Sequence, residues 1–388
     1  MLAPPRYKQL SSYIIGWLTT LAWIATVATE TLFAGTIIQG ILILDYPSYA
    51  SKPYQGTLLT WLVISVCIFI NVVIPNTLPR FEVFILVFHI AGFIAILTTL
   101  LVMTPSLGTN ASVWLTSLNE GGWSSQGLSY CIGFLGNVAT FVGADASVHL
   151  AEEVDNAAVN IPRAILGAML INGAVGFAMM LAVLYCLGDV TTVLETATGF
   201  PFIQVFADSV GSVVGASVMA AVVLALTWAC ATGITTTASR MTWSFARDKG
   251  LPFSNFIGKV NPRTQVPVNA VFVVTGTAAL LTLIYIGSDT AFNDVISLTI
   301  TGFYGSYFLP AAFLLYHRVK GHVLPRGTEL DTPPSHHHHS DGGDFKPDVL
   351  PHNTEKSPSS SDPDTAPGHI STISLPLIWG PCGPPPRP

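Results

Sequence analysis

The chain has 388 residues, half of them hydrophobic and only 10% charged, with a formal net charge of −6 and a mean hydropathy of +0.56. A soluble domain of average type is about 25% charged, and a soluble core cannot hide this much apolar surface, so the composition excludes an ordinary soluble protein and points to lipid. The net charge says little about partners, because much of the acid sits towards the C-terminus, and no nucleic-acid partner is expected.

Eight runs reach the about 20 apolar residues that cross a bilayer: 13–44, 57–75, 82–104, 128–150, 164–188, 211–236, 267–287 and 295–316. Their apolar residues run all round the helix, as lipid burial requires, which makes this an all-α membrane protein. The first run is too long for the h-region of a signal peptide. Charge orients the spans. With the N-terminus in the cytosol, Arg6, Lys8, Arg80, Arg163, Arg240, Arg247, Lys249, Lys259, Arg263, Arg318, Lys320 and Arg326 fall inside, and only Lys52 falls outside. That asymmetry is the positive-inside pattern. It puts the triplet Asn110-Ala111-Ser112 in an outer loop, open to N-glycosylation or a chance match.

Cys67, Cys131, Cys186, Cys230 and Cys382 show no paired spacing and read as small packing residues rather than a disulfide frame or zinc site. Residues 1–12 read as a cytosolic N-terminus, 13–320 as the membrane core and 321–372 as a flexible cytosolic segment rich in Pro, Ser, Asp and Gly. His336 to His339 there read as a solvated run, so no metal or cofactor is expected. Residues 373–388 read as an aborted next span with a proline-rich tail.

The stretch that raises chemistry is Phe141-Val142-Gly143-Ala144-Asp145, followed by His149, Glu152, Glu153 and Asp155 and then Asn160-Ile-Pro-Arg163. A carboxylate at membrane depth costs about 2.5–3.5 kcal/mol on insertion scales and faces a cavity or a partner. Gly143 is a place for the helix to unwind, and broken helices at depth line cavities. The plain alternative keeps Asp145 near the inner interface of a continuous helix. Pro162 suits the first turn of the fifth span. Two further ionisable groups lie inside spans, Glu30 between Thr29 and Thr31, and His89 beside Phe88 and Ile90. Each is a proton-coupling candidate, with a neutral, locally bonded side chain as the alternative for His89. Thr235, Thr236 and Thr237 close the sixth span, as ion ligands or as packing threonines bonded to their own helix. Gly302, Gly305 and Pro310 permit the eighth span to bend. An intramembrane aspartyl protease needs a second membrane-depth acid sharing the proton with Asp145. No second Asp lies inside a span, so an enzyme is not expected.

A second motif string follows the sixth span: Ser239-Arg240, Ala246-Arg247-Asp248-Lys249-Gly250-Leu-Pro252, Asn261-Pro-Arg263 and Val266-Pro267. With the Phe-Gly-acid break, Ala151-Glu152-Glu153 and Ile161-Pro-Arg163, this resembles the amino acid–polyamine–organocation superfamily, in its fungal amino acid, GABA and choline permease branch. The resemblance covers about residues 13–323 and resumes at Ser374-Leu-Pro-Leu-Ile-Trp-Gly-Pro381. It implies an inverted-repeat secondary-transporter fold with broken helices, of which the eight spans match the third to tenth of about twelve. The first broken helix, expected to hold a substrate carboxylate, is not among them. The resemblance therefore implies a chain truncated at both ends, one that inserts in the membrane but does not transport alone. It implies that Phe141, Val142, Gly143, Ala144 and Asp145 line the substrate, with freed carbonyls near Phe141 and Gly143 accepting from an ammonium and Phe141 gating it or lying over a quaternary amine. Asp145 anchors the break, titrates, or caps the half-helix that follows. Glu152, Glu153, Arg163, Arg240, Arg247 and Asp248 are expected at a cytosolic gate, and His89, Glu30, Thr236 and Thr237 are the coupling candidates. The implied function is proton-coupled uptake of an amino acid or small organic amine, at the plasma membrane rather than the vacuole. A non-transporting pseudo-permease or membrane scaffold is the alternative.

Overall fold

A computed structural model describes residues 5–152 and 154–321. The expected cytosolic segment and proline-rich tail beyond 321, and Glu153, lie outside the described residues. The helices in chain order are α1 (Lys8–Asp45), α2 (Pro53–Val73), α3 (Leu78–Met103), α4 (Asn110–Trp114), α5 (Gln126–Ala139), α6 (Ala146–His149), α7 (Ala157–Tyr185), α8 (Val190–Leu194), α9 (Pro201–Val210), α10 (Val213–Arg247), α11 (Ser254–Ile257), α12 (Val268–Thr282), α13 (Ile284–Gly287) and α14 (Asp289–Val319). Eight segments are long and apolar enough to cross a membrane, one for each run read from the sequence. The fourth consists of two helices, α5 and α6. The described residues up to Leu314 form one compact unit, and Leu315 to Gly321 belong to a second.

The first unit is built around α1, whose middle is buried on nearly every side. Helices in lipid approach closely where a side chain is small, and α1 does this twice. A Cβ on Gly35 would stand 2.7 Å from the Thr60 backbone nitrogen of α2, and a Cβ on Gly302 of α14 would stand 2.9 Å from Ala22 Cβ. Gly302 therefore serves contact with α1, and α14 runs unbroken through Pro310. Trp23, Ala28, Ala238, Val274 and Phe303 join α1, α10, α12 and α14 in one apolar cluster. The outward faces of α3 and α7 carry Phe84, Leu86, Leu166 and Leu170, each more than 60% exposed, as a lipid-facing surface requires.

Two boundaries differ markedly from the sequence reading. The sixth span does not end at 236, because α10 continues to Arg247. Its threonines do not break it, since the Thr235 and Thr237 hydroxyls bond back to the carbonyls of Ala231 and Gly233 at 2.8 and 3.2 Å, which satisfies the side chain inside the helix. The fifth span starts earlier, at Ala157, after Asn156 in the left-handed region, so Pro162 is interior to α7 rather than in its first turn. In the loop expected to lie outside, Asn110 begins α4, and its Oδ1 accepts from the Tyr185 hydroxyl at 2.8 Å.

The charge asymmetry fixes an expected topology. Single cysteines at Ser106 and Ser124 should react with an impermeant thiol reagent from outside, and one at Asn255 only after the membrane is opened. The reverse labelling would overturn the orientation.

Candidate functional site

The fourth span loses helical geometry where the sequence placed the break. After α5 the backbone tightens, with N–H groups of Thr140, Phe141 and Val142 bonding three residues back to Asn137, Val138 and Ala139 at 3.3, 3.1 and 3.3 Å. Gly143 then takes φ +80, a conformation that favours glycine because it has no Cβ. Its carbonyl, expected to be free, accepts from the Ala146 N–H at 3.0 Å. Its own N–H donates to the Tyr307 hydroxyl of α14 at 3.3 Å. The same hydroxyl donates to Asp145 Oδ1 at 2.5 Å, and His149 Nε2 lies 2.8 Å from Asp145 Oδ2. The Tyr304 hydroxyl donates to the Val138 carbonyl at 3.0 Å, which closes the end of α5.

Asp145 thus anchors the break rather than capping α6, and its side chain makes no cap hydrogen bond. Its carboxylate and His149 are 18% and 15% exposed, and both oxygens have partners, as burial demands. Trp23 of α1 closes the other side. Its ring meets His149 edge-on at 5.9 Å and Phe303 at 5.0 Å, and its tip lies 3.5 Å from where a Gly143 Cβ would be.

On the face of the break turned towards α7 lies an open cavity of about 250 Å³. Phe141, Val142, Gly143 and Ala144 line it, four of the five residues expected at the substrate. Asp145 is not in its wall. Met169 and Asn172 of α7 form the opposite side, and the Phe141 ring reaches within 3.7 Å of a Cβ position on Gly173. Pocket walls of this kind, mostly apolar with a few polar groups, suit a small molecule.

The gate residues divide. Arg247 bonds Glu152 through both guanidinium nitrogens, at 2.7 and 3.2 Å, and stacks over Trp243 at 4.7 Å. This ties the loop after the break to the end of α10, where Asp248 is the C-cap. Arg163 is exposed on α7. Arg240 departs from expectation, being 9% exposed within α10 rather than in a loop. The hydrogen bonds from Arg247 hold Glu152 below the usual carboxylate range. A lowered folded-state pKa stabilises above the unfolded value of about 4.3, and the contribution is lost as pH falls through the lowered value. Both side chains are about half exposed or more, so Glu152→Gln is expected to cost under about 1 kcal/mol at pH 7 and less at pH 3. Unfolding measured at both pH values checks this, and an equal loss at both would refute it.

The coupling candidates are not gathered at the break. Glu30 is half-buried on α1 and His89 exposed on α3. The Thr236 hydroxyl lies 2.6 Å from Asn71 Oδ1 of α2, and Asn71 Nδ2 donates to the Thr232 carbonyl at 3.2 Å, so this threonine joins two helices. Sequence reading passed over Glu82, at the start of α3. Its carboxylate lies 3.2 Å from a Cβ position on Gly233 of α10. It also passed over Tyr307. His149 was legible as a partner only through its four-residue spacing from Asp145.

A profile of amino acid permeases matches residues 3–336. The chain belongs to the amino acid permease family. This permease is 30% identical over 333 residues to a Macrophomina phaseolina protein named as an amino acid/polyamine transporter, covering 86% of this chain and 73% of that protein. It is 30% identical to the choline transporter of Saccharomyces cerevisiae, covering 81% of this chain and 56% of the relative. An amino-acid permease of Arabidopsis thaliana is 29% identical, covering 80% and 63%. The permease thus spans 56–73% of the length of these relatives. Membership places it among integral, multi-pass transport proteins and not among enzymes.

Proposed function

We propose that the permease carries an amino acid or small organic amine inward across the plasma membrane, coupled to a proton, and that the substrate rests against the break at Phe141 to Ala144. The observation that carries this reading is the cavity beside Gly143, in a span whose helix is interrupted at membrane depth. Irregular backbone at that depth is tolerated where it lines a cavity, and secondary transporters use such half-helices as binding sites. The relatives named for amino acids, polyamines and choline support an amine or amino acid as cargo. Asp145, Glu30 and His89 are the groups we assign to the proton's path, with Glu82 of α3 added. Thr236 and Thr237 remain coupling candidates through the α2–α10 contact. Glu152 and Arg247, with Arg163, Arg240, Asp248 and Glu153, are assigned to the cytosolic gate.

Expression in a fungal host lacking its own permeases tests this. Saturable uptake of a radiolabelled panel of amino acids, polyamines and choline, abolished by a proton uncoupler, is the expected result once the chain is extended to its relatives' full length, with none expected from the 388 residues alone. An extended, membrane-located chain that takes up none of them would favour the scaffold reading. Uptake indifferent to the uncoupler would remove the proton.

A further inference from the structure

The loop between α10 and α12 holds three of the four non-glycine residues with positive φ among the described residues: Lys249, Phe253 and Gln265. That conformation is unfavourable for a bulky side chain, yet Phe253 holds it at φ +56 and is 82% exposed. Phe256, three residues on, is 55% exposed. Ile257 of the same short helix is buried with Phe245, Leu251 and Ala270. The loop thus presents two aromatic rings outward, although its inner face already has an apolar core.

Two hydrogen bonds fix the level at which these rings lie. The Trp243 indole of α10 donates to the Gly258 carbonyl at 3.1 Å, and Asn269 Nδ2, at the start of α12, donates to the Phe256 carbonyl at 2.8 Å. Phe245 packs against Tyr13 and Trp17 of α1 at 6.1 and 5.9 Å. Trp and Tyr gather at the membrane–water interface, so α11 is tied to the level at which α1, α10 and α12 meet the end of the bilayer. Charge adds a second constraint. Between Arg247 and Val268 the sequence has one acid, Asp248, against Lys249, Lys259 and Arg263, all exposed. Lys249 donates to Asn255 Oδ1 at 2.8 Å and has two further protons to give. The side chains of Lys259 and Arg263 have no partner among the described residues.

We infer that the loop from Lys249 to Arg263 is a docking surface for anionic lipid of the cytosolic leaflet. Phe253 and Phe256 sink into the headgroup region, and Lys249, Lys259 and Arg263 hold the headgroup phosphates and carboxylates. An apolar partner would leave the three cations without counter-charge, and a soluble anion would leave the two rings in water. An anionic leaflet satisfies both. The inference is independent of the transported substrate and uses the expected topology only to say which leaflet is met.

The full chain, with its native cysteines replaced by alanine and a nitroxide on Asn255→Cys, is placed in nanodiscs of phosphatidylcholine alone or of a three-to-one mixture with phosphatidylserine. Both faces of a nanodisc carry the same lipid, so the result does not depend on orientation. The label is expected to be shielded from a water-soluble nickel chelate and open to oxygen in the mixture, and more open to the chelate in phosphatidylcholine. Lys259→Gln and Arg263→Gln should each lower the ratio of shielded to open label about fivefold in the mixture. Salt at about 1 M, where the screening length is about 3 Å, should bring the mixture to the level of phosphatidylcholine. Phe253→Ser with Phe256→Ser should open the label to the chelate in both lipids. Should that pair fail to fold, as judged by thermal unfolding, the lipid and salt dependence of the parent decides. A label equally open in both lipids overturns the inference. So does equal shielding in both: unmoved by salt it would mean packing against protein, and lost with salt it would mean pairing with the acids that follow Gly321.

Discussion

Replacing Asp145 by leucine is expected to destabilise the folded chain by about 2–5 kcal/mol. The carboxylate is the acceptor for two groups, the Tyr307 hydroxyl on one oxygen and His149 on the other. Both partners sit in a low-dielectric setting, and a donor left without its acceptor costs about 1–3 kcal/mol. Asp145→Asn keeps one acceptor oxygen and should cost less, about 1–2 kcal/mol. Tyr307→Phe removes the bond from the α14 side and also strips the Gly143 N–H of its acceptor. The double variant Asp145→Asn with Tyr307→Phe should therefore fall short of the sum of the single effects by about 0.5–3 kcal/mol, the range for residues in one network. Reversible unfolding in mixed micelles gives all four stabilities. An Asp145→Leu protein as stable as the parent, or single effects that simply add, would show that Asp145 does not tie the break to α14.

The second large effect lies at Gly143 and has a different origin. A Cβ there meets no crowding, its nearest neighbour being Trp23 at 3.5 Å. The cost is conformational, because φ is +80. An alanine in that region costs about 1–2 kcal/mol, and Gly143→Val, β-branched, should lose more. Gly302 provides the contrast. Its φ is not in the positive range, yet an added Cβ would stand 2.9 Å from Ala22 Cβ and 3.1 Å from the Leu18 carbonyl, an overpacking cost of about 1–3 kcal/mol. Gly276 on α12 has nothing within 4 Å of its Cβ position, so Gly276→Ala should be neutral or stabilise by up to about 1 kcal/mol. Unfolding measurements on the three alanine variants separate these causes, since enlarging the Gly302 pocket with Ala22→Gly should rescue Gly302→Ala but not Gly143→Ala. Rescue of both would mean that crowding, not backbone strain, governs the break.

The spans and the break were legible because they rest on local features. An apolar run of sufficient length has few alternatives in lipid, and a glycine before a membrane-depth acid marks where a helix can leave its geometry. Arg247 and Glu152 were each assigned to the cytosolic gate from motifs 95 residues apart. What the sequence hid depends on direction within a helix. Tyr307 sits in a span with nothing to distinguish it from Tyr304, yet only it reaches Asp145. Arg240 looked like a loop residue because Thr235 to Thr237 resemble a helix end. Once their hydroxyls are bonded to their own backbone, the helix runs on and carries Arg240 inside. Asn172 reads in the sequence as one amide in an apolar run, and only the structure places it on the wall of the cavity.

The two arms of the broken span differ greatly in length. α5 has 14 residues and no buried one, whereas α6 has four, so the arms measure about 21 and 6 Å at 1.5 Å per residue. Tyr307 and Tyr304 grip the chain at the junction between them. The span is therefore a lever with its fulcrum near the cytosolic end. A rotation of about 15° at the junction would carry the far tip of α5 through about 5 Å but the end of α6 through less than about 2 Å, given those lengths. On the expected topology, a hinge at this junction would move the outer end of the span much further than the cytosolic end.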